Sequence, residues 1–200
     1  MERMENHFDA LIDSYLANNI GVDMNFLTEN LSSGLHENIL KIQNEELMIA
    51  AGIGNEEMKD TRQKIRGDKI YWLDKSHENI HEQRFLQMAE DFIAYLNMTC
   101  YTGINAYEFH YAVYEEGSFY KRHKDQFIND NGRKYSLINY LNDDWVEEDG
   151  GQLLIYQDEH IQKISPRSQT AVFFKSDETE HEVAKTSRQR MSITGWLKQV

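Results

Sequence analysis

The chain is short of four things, and each shortage closes a class of protein. It has one cysteine, Cys100, in 200 residues, so no disulfide can form within it and nothing calls for an oxidising compartment. A lone thiol of this kind reads as a small apolar filler. It has one proline and eleven glycines, which removes the collagenous and low-complexity classes, and no linker is found at which it would divide in two. Cations are few, 21 Lys and Arg against 34 Asp and Glu for a net charge of −13; such a surface repels phosphate backbones, so no nucleic-acid partner is expected. Finally, no stretch approaches the roughly 20 apolar residues that cross a bilayer. Met1–Asn19 carries Phe8, Leu11, Ile12, Tyr15 and Leu16 as a helical stripe, not as a signal region. No membrane partner and a cytoplasmic location are therefore expected.

What is present is the material of a packed core, 40% apolar and 12% aromatic residues. Up to about Asn97 the apolar spacing is helical, as in Leu27, Leu31, Leu35, Ile39 and again in Phe85, Ala89, Phe92, Leu96, with Ser76 a plausible cap for the second run. Between them Gly52 and Gly54 suggest a mobile loop over Ala51–Lys64, followed by a short strand ending at Leu73. After Thr99 the texture becomes β. Short aromatic and β-branched segments at 107–114, 134–141, 152–156, 171–174, 181–184 and 190–197 are separated by turn signals such as Asn129–Gly132, Gly150-Gly151 and Ser165-Pro166. Helices followed by many short strands predict an α+β, mainly β architecture, a sandwich or jelly roll with helices packed on one sheet.

Two segments have metal-ligand spacing. His77-Glu78-Asn79-Ile80-His81 matches H-E-x-x-H, which on a buried helix holds zinc and supplies a glutamate base, with Glu108 a conceivable distant third ligand. It begins at the expected cap, and Glu82 and Gln83 make its flank polar, so it reads instead as a solvated first helical turn. The second is His123-Lys124-Asp125 with His181 further on. With eight histidines in the chain, an H-x-D triplet arises readily by chance, so context decides. In a strand, residues two apart point the same way, and a histidine from a neighbouring strand would complete a two-imidazole, one-carboxylate face suited to non-haem Fe(II).

The last segment alternates. Arg190, Ser192, Thr194 and Trp196 fall on one face, Met191, Ile193, Gly195 and Leu197 on the other. If the apolar face packs on helices, Arg190 points into the barrel and needs an anionic partner to offset its desolvation; the alternative is a polar edge strand facing outward. Arg190 lies about one hairpin after His181, so a metal and an anion would share one cavity.

At this point the run from Tyr114 to Asp125, Tyr140-Leu141-Asn142-Asp143-Asp144-Trp145, Gly150-Gly151-Gln152-Leu153, Phe173–Asp177, His181-Glu182-Val183 and Arg190–Trp196 together resemble the Fe(II)- and 2-oxoglutarate-dependent prolyl 4-hydroxylases. Ile65–Ile70 is similar to the segment that ends the mobile substrate loop in the oxygen-sensing branch of that family. The resemblance implies a double-stranded β-helix, a jelly roll at residues 99–200 buttressed by a mostly helical part at 1–97, with a substrate loop at about 51–68, all in one minimal catalytic domain over 1–200. It implies Fe(II) on His123, Asp125 and His181. It further implies 2-oxoglutarate held by Arg190 and Tyr140 with Tyr114 and Thr194 lining the pocket, and substrate met by Arg66, Asp68, Tyr120, Arg133 and Trp196. No catalytic residue beyond the metal centre is assigned.

The activity implied is C4 hydroxylation of a prolyl residue in a protein, elongation factor Tu being one candidate, with O2 and 2-oxoglutarate converted to succinate and CO2 and ascorbate as an accessory reductant. Hydroxylation of a free amino acid or other small molecule, and a catalytically silent sensing module, are the alternatives. Collagen-type relatives carry lysine where Arg190 stands, and nucleic-acid dealkylases a second arginine where Trp196 stands. Gln152 and Lys175 replace apolar or aromatic residues expected in animal relatives.

Overall fold

The structure is a computed structural model that describes residues 2–52, 65–126, 132–158 and 160–200. Most of the expected substrate loop, residues 53–64, and the expected turn at 129–131 lie outside the described residues. Among the described residues three helices alternate with the first three short strands: α1 (Glu2–Asn18), α2 (Glu29–Asn44) and α3 (Ile80–Cys100). The Thr28 hydroxyl accepts from Leu31 N at 3.3 Å and so caps α2. The cap of α3 is Asn79, whose Oδ1 accepts from His81 N and Glu82 N. The expected Ser76 is engaged elsewhere, its N and Oγ both donating to Asp74 Oδ1, which holds the chain in a turn one residue group too early for a helix.

The strands are β1 (Gly21–Asp23), β2 (Ile49–Ala50), β3 (Asp68–Trp72), β4 (Ala106–Tyr114), β5 (Tyr120–His123), β6 (Arg133–Tyr140), β7 (Leu153–Tyr156), β8 (Ile161–Ile164), β9 (Ala171–Lys175), β10 (Glu180–Val183) and β11 (Arg190–Lys198). They form an antiparallel seven-stranded sheet in the order β1-β9-β6-β11-β4-β3-β2 and a four-stranded sheet in the order β5-β10-β7-β8. This is a mainly β jelly roll on a helical buttress.

Alternation along β11 sorts the core into two clusters. Met191, Ile193 and Leu197 pack outward with Phe109, Tyr111 and Phe173 against Leu11, Leu27, Leu35, Phe85 and Phe92 of the helical layer. Gly195 shares that outward face, where an added Cβ would stand 2.1 Å from Phe109 Cδ1. The inward faces of the two sheets enclose a second cluster with Ala112, Tyr114, Ile138 and Tyr140 on one side and Leu153, Ile155 and Val183 on the other.

Two smaller expectations fail. Leu16, assigned to the stripe of α1, is 70% exposed. Cys100 is exposed rather than a filler, because the last turn of α3 projects past the core with Met98 and Tyr101.

Candidate metal centre and its cavity

The inner face of the large sheet is ordered in rows by strand register. Asp68, Tyr114 and Arg190 pair across β3, β4 and β11 in one row. Ile70, Ala112, Ser192 and Tyr140 make the next, Trp72, His110, Thr194 and Ile138 the third, and Glu108, Trp196 and Ser136 the fourth. The period-2 alternation read from the sequence thus becomes a wall running from a cation at one end to a polar, aromatic rim at the other. Opposite it, His123 of β5 pairs with His181 of β10. A cavity of about 120 Å³ lies between.

His123, Asp125 and His181 each bring one ligand atom, all within 4.8 Å of one another. The strand argument for the H-x-D pair does not hold as stated: β5 ends at His123, and Asp125 stands beyond it, its backbone N donating to Ser176 O at 3.1 Å. Its carboxylate is aimed by side chains instead. Ser136 Oγ donates to Asp125 Oδ2 at 2.7 Å and lies 2.9 Å from Ser176 Oγ. His123 Nδ1 faces Lys121 O at 2.7 Å and His181 Nδ1 faces Thr179 O at 3.2 Å. A carbonyl only accepts, so each Nδ1 carries the proton and each Nε2 lone pair turns toward Asp125 Oδ1, at 3.5 and 3.7 Å. Burial alone would raise the Asp125 carboxyl, and the Ser136 hydroxyl, as a donor, favours its anion, while burial lowers His181 toward the neutral form that can hold a metal. An anionic carboxylate and two oriented imidazoles are the donor set that Fe(II) takes with positions left open, and their outer partners are in place.

At the other end Arg190 is 2% exposed. Its Nε donates to Gly151 O at 2.8 Å, and its guanidinium lies 5.0 and 4.9 Å from the Tyr114 and Tyr140 ring centres. The Gly150-Gly151 pair is needed for this approach, since both residues have positive φ and a Cβ on Gly151 would stand 3.1 Å from Arg190 Cδ. No carboxylate pairs with Arg190 among the described residues, and Tyr140 Oη is sealed without a hydrogen-bond partner. Burial raises both tyrosines, keeping the hydroxyls protonated as donors. A buried guanidinium beside an orphaned hydroxyl fits a carboxylate ligand. Thr194 lines the same cavity, its Oγ1 3.3 Å from Ser192 Oγ.

The five residues expected to meet substrate stand around the mouth. Arg66 and Asp68 form a bidentate pair at 2.7 and 2.5 Å, and Arg66 lies 4.3 Å from the centre of the Tyr120 ring. Tyr120 in turn stacks on His123 with centroids 3.6 Å apart. Arg133 donates to Glu108 and to Asp125 O and stacks 3.4 Å over Trp196. All five line the cavity with the triad, Arg190, Tyr114 and Thr194; Tyr140 sits behind Arg190. Sequence reasoning missed Ser136, Trp72 and His110, although the last is visible as the residue two turns of the alternation before Tyr114.

The H-E-x-x-H segment is no metal face. His77 precedes the helix, so the two histidines do not share a helical side. Nor is its flank solvated: Glu82 is 1% exposed, accepting from Asn38 Nδ2 and paired with His77 Nδ1, both at 2.8 Å.

A family model for the 2OG-Fe(II) oxygenase superfamily matches residues 109–198. Human Egl nine homolog 1 is 32% identical over 157 residues, 68% of this chain and 34% of that protein. The rat protein of that name is 31% identical over the same length, and the chain spans 34–43% of the curated relatives it matches. Among solved structures, a Pseudomonas putida prolyl-4-hydroxylase is similar with a TM-score of 0.86 and 29% identity, covering 96% of this chain and 99% of that one. A Trichoplax adhaerens prolyl hydroxylase in complex with a hypoxia inducible factor oxygen degradation domain peptide fragment shares the fold, with a TM-score of 0.86, 24% identity and coverage of 98% and 91%.

Proposed function

Because this chain carries a domain of the 2OG-Fe(II) oxygenase superfamily, we propose that it hydroxylates a prolyl residue at C4 in a protein substrate, using Fe(II), 2-oxoglutarate and O2, with ascorbate as an accessory reductant. The observation that carries this reading is the pairing, in one cavity, of the His123, Asp125 and His181 ligand set with a buried Arg190 that faces no carboxylate among the described residues. Together, the iron and its cosubstrate supply the oxidant that places one oxygen atom of O2 on carbon and releases succinate and CO2.

The chain's own residues bind, aim and shield. His123, Asp125 and His181 would hold the metal, and Ser136 fixes the carboxylate oxygen that is left over. Arg190 and the Tyr140 hydroxyl would take the far carboxylate of 2-oxoglutarate, with Tyr114 and Thr194 along its length. The buried walls Ile138, Leu153 and Val183 keep water from the reacting atoms. At the mouth, Arg66, Asp68, Tyr120, Arg133 and Trp196 would meet the peptide. Among the described residues no helix is long and apolar enough to cross a membrane, and we take the substrate to be a cytoplasmic protein, with elongation factor Tu the first to try.

The test is Fe(II)-dependent succinate formation in air with native protein and with Asp125→Ala, each with the protein or the small-molecule fraction of a lysate. Stimulation by the protein fraction and a loss of at least a hundredfold in the variant are expected, followed by a 16 Da gain on proline. Stimulation by small molecules alone would replace this reading with the amino-acid hydroxylase, and no succinate from iron-loaded protein would leave a silent module.

A further inference from the structure

His110 faces the cavity from the middle of β4, and the reading above gives it no task. It is 3% exposed, neither ring nitrogen has a hydrogen-bond partner among the described residues, and Nδ1 is sealed from solvent. The sealed, unpartnered Nδ1 weakens the fold, and Nε2, which is not sealed, is the nitrogen that a ligand in the cavity can reach. Trp72 and Trp196 flank the ring, with centroids 5.0 and 5.4 Å away.

Its place along the wall says which reactant it meets. His110 stands in the row of Trp72 and Thr194, whereas Tyr114 stands in the row of Arg190. Four residues of strand separate the two rows by roughly 13 Å, and within its own row the His110 ring lies against Trp72 and, one row on, Trp196, the aromatic pair at the mouth. Its neighbour Trp72 is 42% exposed at the rim. His110 is therefore on the substrate side. Burial, the largest influence, pushes the imidazole down to about 4, while Asp68 and Asp125 are opposed by Arg66 and Arg133. At neutral pH the ring is uncharged, which suits a peptide amide better than a carboxylate or phosphate.

We propose that His110 reads the substrate, its Nε2 hydrogen-bonding a backbone amide next to the reacting proline in the slot between Trp72 and Trp196. The proposal rests on the prolyl reading above and names how that site would recognise its peptide.

The test uses iron-loaded native protein, His110→Leu and His110→Gln, each with 2-oxoglutarate and a pool of end-blocked heptapeptides with central proline. Hydroxyproline formation and thermal unfolding are both recorded. His110→Leu should raise the apparent KM for the pool about tenfold at similar kcat, and His110→Gln, which keeps a donor and an acceptor, should recover most of that loss. The leucine variant should also melt about 3 °C higher, because its side chain leaves no nitrogen unsatisfied. An unchanged KM in His110→Leu overturns the proposal and leaves the prolyl reading standing, and so does a leucine variant that unfolds or melts lower, as a packing residue would. If the native protein forms iron-dependent succinate but leaves the pool untouched, the prolyl reading fails and this proposal goes with it. The native protein alone thus tells the two failures apart.

Discussion

At the scale of single residues the site depends on groups that never touch a reactant. Ser136 is the clearest, since its hydroxyl at 2.7 Å fixes one Asp125 oxygen and leaves the other between the two imidazoles. Outer partners of this kind are worth about 10–100-fold in metal affinity. Ser136→Ala should weaken Fe(II) binding by that factor while cosubstrate affinity at saturating iron stays put; equal metal affinity by anaerobic titration would show that Ser176 alone suffices. His110 carries a different signature. Its folded-state value is about 4 against an ordinary 6.5, so below the ordinary value the unfolded chain binds a proton that the folded chain refuses. Stability is full near neutral pH and falls as pH drops through that window, by about 2 kcal/mol between pH 7.5 and 5. Urea unfolding at the two pH values should show this loss in the native chain and a correspondingly smaller one in His110→Leu. Parallel losses in both proteins would assign the pH dependence to other groups.

At the scale of elements, β11 is the hinge of the architecture because its two faces serve different layers. Its helix-side face has no room at Gly195, where a Cβ would meet Phe109 Cδ1 at 2.1 Å and Glu108 O at 2.4 Å. Phe109 is itself packed edge-on to Phe85 of α3 at 5.2 Å, so the ring cannot withdraw freely. Gly195→Ala should cost about 1–3 kcal/mol, lowering the melting temperature by about 2–4 °C for each kcal/mol; a variant that melts with the native chain would refute that packing account. The alternation of β11 is legible without a structure, since Met191, Ile193 and Leu197 against Arg190, Thr194 and Trp196 leave few other readings. The same holds for β4, β6 and β9, whose apolar residues are buried on both sides. Short edge strands leave no such trace. β2 is two residues, both exposed, β1 is three, and β8 has one buried residue in four, so backbone pairing alone defines them. The cap of α3 is likewise illegible, because Ser76 and Asn79 are both cap-type residues ahead of the same helix and only contacts such as Ser76 to Asp74 and Asn79 Nδ2 to Asn38 Oδ1 at 2.8 Å decide between them. Asp125 shows the limit for the site: its identity as a ligand is written in H-x-D, but its orientation comes from Ser136 and Ser176, far along the chain.

At the scale of the whole molecule, 13 excess negative charges surround a mouth that carries Arg66 and Arg133. The long-range field favours a substrate segment with basic character, and fields of this kind are screened over about 10 Å at 0.1 M salt. For a lysine-flanked proline peptide kcat/KM should fall as salt rises from 50 to 500 mM, and for an acid-flanked peptide it should rise. Identical salt profiles would mean that the mouth's own cations dominate. The two sheets are joined there by a narrow seam: Gly67 N donates to Phe119 O, Lys121 N donates to Ile65 O, and Arg66 bridges Tyr120. By contrast, β11 and β4 are zipped over nine paired residues. Among the described residues the stitching at the mouth is therefore thinner than that between β11 and β4, and it runs through the residues expected to receive the peptide. Widening the entrance and beginning to unravel the barrel are the same backbone motion, so a peptide seated across that seam would act as a clasp. Its presence would be recorded in the slowed solvent exchange of the Gly67 and Lys121 amides before any product appears.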